Sequence, residues 1–437
     1  MGSAFFYPSA NGSGYFPLPT VPADRFTYLR GAISPTVGAG ATVMFDNVTN
    51  NLAGTAFYSP SFGVSFLHHG SALELVFSPN GTSYLVKVDD EYVTLTPQSV
   101  GNSGTFYAKY DFGGSARRRI EVLGYNSAFN GVNVGPNDSL DPAPVRGPRV
   151  IVLGDSFAQA QPNGWTSALA DWMGWDDVWA SALGGTGYLA DNSGTQHTYR
   201  GRVVHDVINY SPDIVIIEGS VNDDGGSYET KPTAIGAEAA LLYAQIRAAL
   251  PNALVFAGPT ASGGVNKMTA TKLAIKDAMK KAAADSSVIW IDTLELPISF
   301  ANGTPIGGTL AAGYAAGAGG GDGIRLTNVP QAGSTIEIGS GATRERIQIK
   351  SFTQVGSNTY KSLFDGALQY AHSSGESWTQ VGGSYLTGYG KVGAPTGFGN
   401  SDLLVSADGV HPSTEGYAEM GRVWADLLRQ TMRATNG

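Results

Sequence analysis

Cysteine is absent from all 437 residues, which excludes disulfides, thiolate nucleophiles and zinc sites built on thiolates. Charge is also scarce: Asp, Glu, Lys and Arg make up 14% of the chain, with a formal net charge of −9. The one tight basic cluster is Arg117-Arg118-Arg119. No nucleic-acid partner is therefore expected, because phosphate binding needs clustered Lys and Arg. With Ile120-Glu121-Val122-Leu123 following it, the cluster reads as a solvated strand edge or a set of local ion pairs. No stretch approaches the roughly 18 apolar residues of a membrane helix, and no charged segment followed by an apolar core opens the chain as a signal peptide would. A soluble protein without membrane insertion is expected. Cytoplasmic, extracellular and virion-associated settings and the oligomeric state stay open.

What is present favours a rigid, turn-rich fold: 42% hydrophobic residues, 10% aromatic residues and 59 glycines. The length exceeds one comfortable core, so several domains are expected. Residues 1–145 hold short β-type runs separated by turn residues, among them Ala41 to Phe45, Gly63 to Leu67, Leu73 to Phe77, Tyr84 to Val88 and Tyr92 to Leu95. Without helices between them they read as a β-sandwich or jelly roll, and Asn137 to Pro148 as a linker.

From Arg149 strands and helices alternate. Val150 to Leu153, Val178 to Ala180, Ile214 to Ile217, Leu254 to Phe256 and Val288 to Ile291 are short and unalternated, as strands covered on both faces should be. Helical spacing is expected near 165–174, 198–210, 233–250 and 266–285, giving a parallel five-stranded sheet with right-handed crossovers. A closing helix over 412–433 would present Tyr417, Met420, Val423, Trp424 and Leu427 on one face. The long interval before it is again β-like, so 304–398 reads as an inserted β-module between 146–303 and 399–437.

Gly154-Asp155-Ser156 follows the first parallel strand, and Asp408-Gly409-Val410-His411 precedes the closing helix. Alone the tripeptide is a weak signal. A serine nucleophile needs a base, because a free hydroxyl is hardly ionised at neutral pH, and it needs donors for the developing oxyanion. Ser156 at a strand end leading into a helix N-terminus would be exposed and favoured by the dipole. Two further strand ends carry donors: Gly184-Gly185-Thr186-Gly187, and Asn222 in Gly219-Ser220-Val221-Asn222-Asp223. The bland readings are a turn for Asn222, a structural role for His411, a solvated loop pair for Asp223-Asp224, and surface or packing roles for His68, His69, His197, His205 and His372. Asp322 within Gly317 to Gly323 lacks the alternating ligands of a calcium loop, so no metal and no cofactor are expected.

These four blocks, in order, resemble the SGNH or GDSL family of hydrolases, over about 149–300 and 400–435. The resemblance implies a flavodoxin-like three-layer α/β/α domain. It further implies Ser156 as nucleophile, His411 as base, Asp408 as its orienting carboxylate, and Ser156, Gly185 and Asn222 as the oxyanion hole, with Gly184 competing for the Gly185 role. A β-sandwich preceding such a domain resembles, in layout, carbohydrate esterase family two. That likeness implies removal of O-acetyl groups from a carbohydrate or polysaccharide, with Asp155 as a substrate-binding residue and Tyr188 and Trp165 as sugar-stacking surfaces, although aromatics more often lie in cores. A general short-chain carboxylesterase, lipase or thioesterase, and a non-catalytic carbohydrate-binding protein of viral-appendage type, are the alternatives. The insert would act as a lid, a specificity wall or an assembly surface.

Overall fold

A computed structural model describes residues 5–9, 25–31, 45–47, 57–59, 61–78, 83–100, 105–125, 128–158, 163–195, 197–219, 221–224, 231–259, 270–294, 296–297, 306–328, 334–364, 366–383 and 401–435. Residues 41–44, Ser220, the expected helix start at 266–269 and the 384–398 end of the expected insert lie outside them.

The centre of the fold is an all-parallel sheet of Val150–Gly154, Val178–Ala182, Ile214–Glu218, Leu254–Gly258 and Ile289–Trp290. In space the second strand comes first, followed by the first, third, fourth and fifth. The first three strands are buried at every position, because helices cover both faces and leave no side for polar alternation. Ile151, Leu153, Val215 and Ile217 enter a core with α3 (Pro232–Ala249) and α4 (Ala270–Asp285). Val150, Val152, Ile214 and Ile216 enter the opposite core with α1 (Trp165–Met173) and α6 (Thr414–Thr435), which the short helix α5 (Ser401–Leu404) precedes.

Local chemistry sets the helix ends. Gly174 stops α1 in the left-handed region, α2 (Tyr199–Asp206) starts on Thr198, whose hydroxyl accepts from Gly201 N–H, and Pro232 opens α3. On α6 the buried stripe is Tyr417, Met420, Val423, Trp424 and Leu428, with the expected Leu427 only partly covered. Because the second and third strands flank the first, the chain reverses its direction of travel across the sheet at Gly154. Open α/β sheets form their ligand crevice at this kind of switch point.

The N-terminal region is an antiparallel sheet built on two long strands, Ser61–Ser78 and Phe106–Tyr125. The runs at Gly63 and Leu73, expected as separate strands, lie on one strand that a register shift between Gly70 and Ala72 bends without ending. Phe106–Tyr125 pairs on both sides, with Ser61–Ser78 and Ser83–Val88. Arg119 lies one residue past the end of the Ser83–Val88 pairing, where its carbonyl accepts from Asp89 N–H at 2.8 Å.

Of the two readings of the arginine cluster, an ion pair holds for Arg119, which donates to Asp176 at 2.8 Å, in the loop between α1 and the second parallel strand. Arg146 from the linker binds the same carboxylate through side chain and backbone, and Arg149 binds Asp177. Arg30 is buried among Glu121, Ser167 and the Asp176 carbonyl, while its own N–H donates to Asp177 at 2.8 Å. The N-terminal sheet is thus fastened to the α/β layer by charge. Arg118 is used internally, on the carbonyls of Gly70 and Gly114.

Beyond the fifth parallel strand lies a third, antiparallel sheet of seven strands. It has its own core, including Ile306, Ile324, Ile336, Ile338, Ile349 and Trp378. β pairing starts earlier than the expected 304, because Leu296–Pro297 pairs with Gly382 and Gly383 and so brings entry and exit together. Of the surface and packing roles expected for His372 it takes the packing one: it is buried, with Glu345 at 2.6 Å and Glu376 at 3.0 Å from its two ring nitrogens.

Removing one member of a buried, hydrogen-bonded ion pair strands its partner. Arg30→Ala, which leaves Glu121 without its cation, should lower stability by about 3–5 kcal/mol, read as a lower denaturation midpoint in urea. An unchanged midpoint would mean that the Arg30 side chain, through Ser167 and the Asp176 carbonyl, does not fasten the N-terminal sheet.

Candidate active site

Ser156 follows the first parallel strand in the tight turn Asp155–Ala158, closed by the Phe157 N–H on Asp155 Oδ1 at 2.9 Å. The helix expected near 165–174 is α1, which begins at Trp165, so the expected dipole does not bear directly on Ser156. The turn leaves the Ser156 side chain at the surface of the crevice. His411 Nε2 lies 2.9 Å from Ser156 Oγ, across 255 positions of sequence.

The loop Ser406 to Pro412 is folded around one carboxylate. Asp408 Oδ1 accepts from Ser406 Oγ at 2.6 Å and from the N–H groups of Val410 and His411, while Oδ2 lies 2.6 Å from His411 Nδ1. Partial desolvation pushes the Asp408 pKa up, but the hydrogen bonds from Ser406, His411 and Val410 outweigh it and hold the carboxyl well below its usual range. An ionised Asp408 accepts a hydrogen bond from His411 Nδ1–H. That fixes the imidazole tautomer, and Nε2 then carries the lone pair that faces the serine hydroxyl.

The two expected donor segments also converge. Gly185 has φ +78°, and a Cβ there would come within 2.7 Å of Asn192 Oδ1, so this turn requires glycine. Asn222 Nδ2 donates to Thr186 O at 2.9 Å, leaving its second N–H for another acceptor. Nothing in the geometry separates Gly184 from Gly185 as a backbone donor. Both lie half-buried in the same turn.

Three expectations about substrate contact are corrected. Trp165 is 1% exposed because it stacks on Trp424, with ring centroids 5.6 Å apart, between α1 and α6. Tyr188 is equally buried beneath the sheet, its hydroxyl 2.6 Å from that of Tyr243. Asp155 is wholly buried. None of the three offers a surface to a substrate. Asp223, read as half of a solvated loop pair, is also wholly buried.

A hollow of about 440 Å³ surrounds the serine, lined by Asn163, Ser406, Asp408, His411, Pro412, Ser413, Thr414 and Tyr417. Ser406, Asn163 and Thr414 were not singled out in the sequence. Ser406 joins the site through a bond between side chains, to Asp408, which local turn patterns do not encode. Among the described residues no part of the C-terminal sheet lines this hollow. That sheet has a comparable one of about 480 Å³ around Glu337, Arg344, Arg346 and Gln369, without a nucleophile and base in contact. Among the described residues no cluster of His, Asp and Glu could hold a metal ion, and no helix is long and apolar enough to cross a membrane.

The fold and its crevice define an α/β protein with a serine, a histidine and a carboxylate in hydrogen-bonded sequence. Residues 152–317 match the model of the GDSL-like lipase/acylhydrolase family. The matched span ends before the loop that bears Asp408 and His411. No curated protein matches the sequence. Among solved structures the chain is similar to a family two carbohydrate esterase from Clostridium thermocellum in complex with cellohexaose, with 15% identity over 61% of this chain and 88% of that one and a TM-score of 0.47. It is also similar to a family two carbohydrate esterase from Cellvibrio japonicus (15%, 67% and 89%, 0.47) and to an acetyl xylan esterase from Butyrivibrio proteoclasticus (12%, 66% and 89%, 0.45).

Burial pushes the Asp155 carboxyl up to about 7, with Asp223 adding to the shift and His411 and Tyr199 opposing it. An acid whose folded pKa exceeds its unfolded value binds more protons folded than unfolded, so its contribution to stability falls as pH rises between about 4 and 7. Asp155→Asn keeps an acceptor for Phe157 N–H and removes this titration. The variant should gain on the parent by on the order of 2–4 kcal/mol between pH 4.5 and 7.5, measured by denaturation at both. Parallel pH profiles would refute a buried, titrating Asp155.

Proposed function

We propose that this protein is a serine esterase that removes short acyl groups, above all O-acetyl, from a carbohydrate or polysaccharide. The observation that carries the reading is the continuous path Ser156 Oγ to His411 Nε2 at 2.9 Å and His411 Nδ1 to Asp408 Oδ2 at 2.6 Å. His411 takes the Ser156 proton as Oγ bonds to the ester carbonyl carbon, and the carbonyl oxygen becomes an oxyanion. The Ser156 N–H, the N–H of Gly185 or Gly184, and the free Asn222 amide N–H supply its donors. The C–O bond to the sugar then breaks, the departing alkoxide takes the proton from His411, and an acyl-serine remains. Water, deprotonated by His411, attacks the acyl carbon and releases the carboxylic acid and Ser156.

The lining of the crevice supports a short acyl group and a polyhydroxy alcohol. Hydroxyls and an amide, from Ser406, Ser413, Thr414 and Asn163, share it with apolar surface of comparable extent, to which Pro412 and Tyr417 contribute. A long acyl chain requires a broad apolar groove. Domain limits of 1–145, of 146–303 with 399–437, and of 304–398 fit the proposal: a β domain before, and a β-module inserted into, the hydrolase domain.

The test is a panel of acetylated polysaccharides and aryl esters of increasing chain length, with the released acid quantified. Activity should concentrate on acetyl and propionyl esters, and Ser156→Ala should lose at least about 1000-fold in kcat while melting as the parent does. Rates that hold or rise with chain length would favour a lipase instead, and unchanged turnover in Ser156→Ala would refute the assignment of the nucleophile.

A further inference from the structure

Asp223 follows Asn222 at the end of the third parallel strand and is wholly buried. Its carboxylate accepts from three consecutive backbone N–H groups of another loop. Oδ2 accepts from Tyr188 at 2.7 Å, and Oδ1 from Leu189 at 2.9 Å and Ala190 at 2.8 Å. These residues continue directly from Gly184-Gly185-Thr186-Gly187. The loop returns on itself there, through Gly187 N–H to Ala190 O and Asn192 N–H to Gly185 O.

Gly187 is the clearance that lets this happen, since a Cβ there would lie 2.3 Å from Asp223 Oδ2. Asn222 holds the same loop from the neighbouring position, through Nδ2 on Thr186 O. Two adjacent residues of one segment thus grip both halves of the glycine loop, one through an amide and the other through a carboxylate.

We infer that Asp223 is a positioning residue for the oxyanion donors: it sets where the Gly184/Gly185 N–H groups and the Asn222 amide point relative to Ser156. The inference rests on the esterase reading above. A carboxylate suits this role because three converging N–H dipoles want a full negative charge with acceptor capacity on both oxygens. An asparagine there would turn an NH2 toward at least one backbone N–H. Donors act on the transition state, where the oxyanion forms, and little on bound substrate, so misaligning them lowers kcat more than it raises KM. Arg202, the other buried charge that reaches this loop, touches it only through Thr186 Oγ1 at 3.5 Å, and its closer contacts are the carbonyls of Ser181 and Gly154.

The test is kinetics of Asp223→Asn on an aryl acetate, beside Asn222→Ala, the double variant and Ser156→Ala. Asp223→Asn should lose about 10- to 100-fold in kcat with KM within about threefold, and the double variant should be less impaired than the product of the two single losses. If Asp223→Asn does not fold, Gly187→Ala presses the same loop off the carboxylate and should show the same split. A parental kcat, a loss carried by KM alone, or strictly multiplicative losses would overturn the inference. Those results with an inactive Ser156→Ala leave the esterase reading standing, whereas an active Ser156→Ala removes that reading itself.

Discussion

The 2.9 Å contact of Ser156 Oγ with His411 Nε2 joins the end of the first parallel strand to a loop 255 residues away. A hydroxyl and an imidazole can exchange a proton only within hydrogen-bond reach, so this one distance demands that the sheet, α6 and the loop between them be placed together. The stacking of Trp165 on Trp424 is part of that placement, because it presses α6 and its preceding loop against α1, on the face beneath Ser156. Asp408 contributes at shorter range. Its four hydrogen bonds give the loop its shape and the imidazole its tautomer at once.

Charge is used sparingly on this surface and densely at one seam. Arg30, Arg119, Arg146 and Arg149 converge on Asp176 and Asp177 and hold the antiparallel sheet on the α/β layer. Desolvated pairs of this kind add little net energy over an apolar seam but are costly to break singly. The same low dielectric operates under the site, where Asp155 and Asp223 are both buried. Asp223 is satisfied by three backbone donors, while Asp155 has one short contact and one of 3.4 Å, from Tyr199, and its pKa rises accordingly.

Parallel strands were legible because burial on both faces leaves a plain signature: the β-branched runs at Val150 and Ile214 have no polar alternation. Helix ends were legible where Gly174, Thr198 and Pro232 mark them. The long antiparallel strands were not, since Gly70 reads as a break and only pairing with Phe106–Tyr125 turns it into a bend. Aromatic residues misled for a related reason. Trp165 and Tyr188 flank the motifs in sequence, but a helix or loop can turn any side chain inward, and the core took both.

Sequence alone determined the chemical types and their order: a serine after the first strand, glycines after the second, an asparagine after the third, and an Asp-x-x-His before the last helix. Strand-end placement makes that order meaningful, because the sheet gathers the carboxyl ends of its strands along one edge. Tertiary structure decided which oxygens and nitrogens meet. It set Asp408 on Nδ1 and Ser156 on Nε2, buried Asp155, and turned Asp223 from an apparent surface residue into the acceptor for three N–H groups of another loop. Such contacts depend on side-chain direction and on pairings between distant segments, which local pattern does not encode.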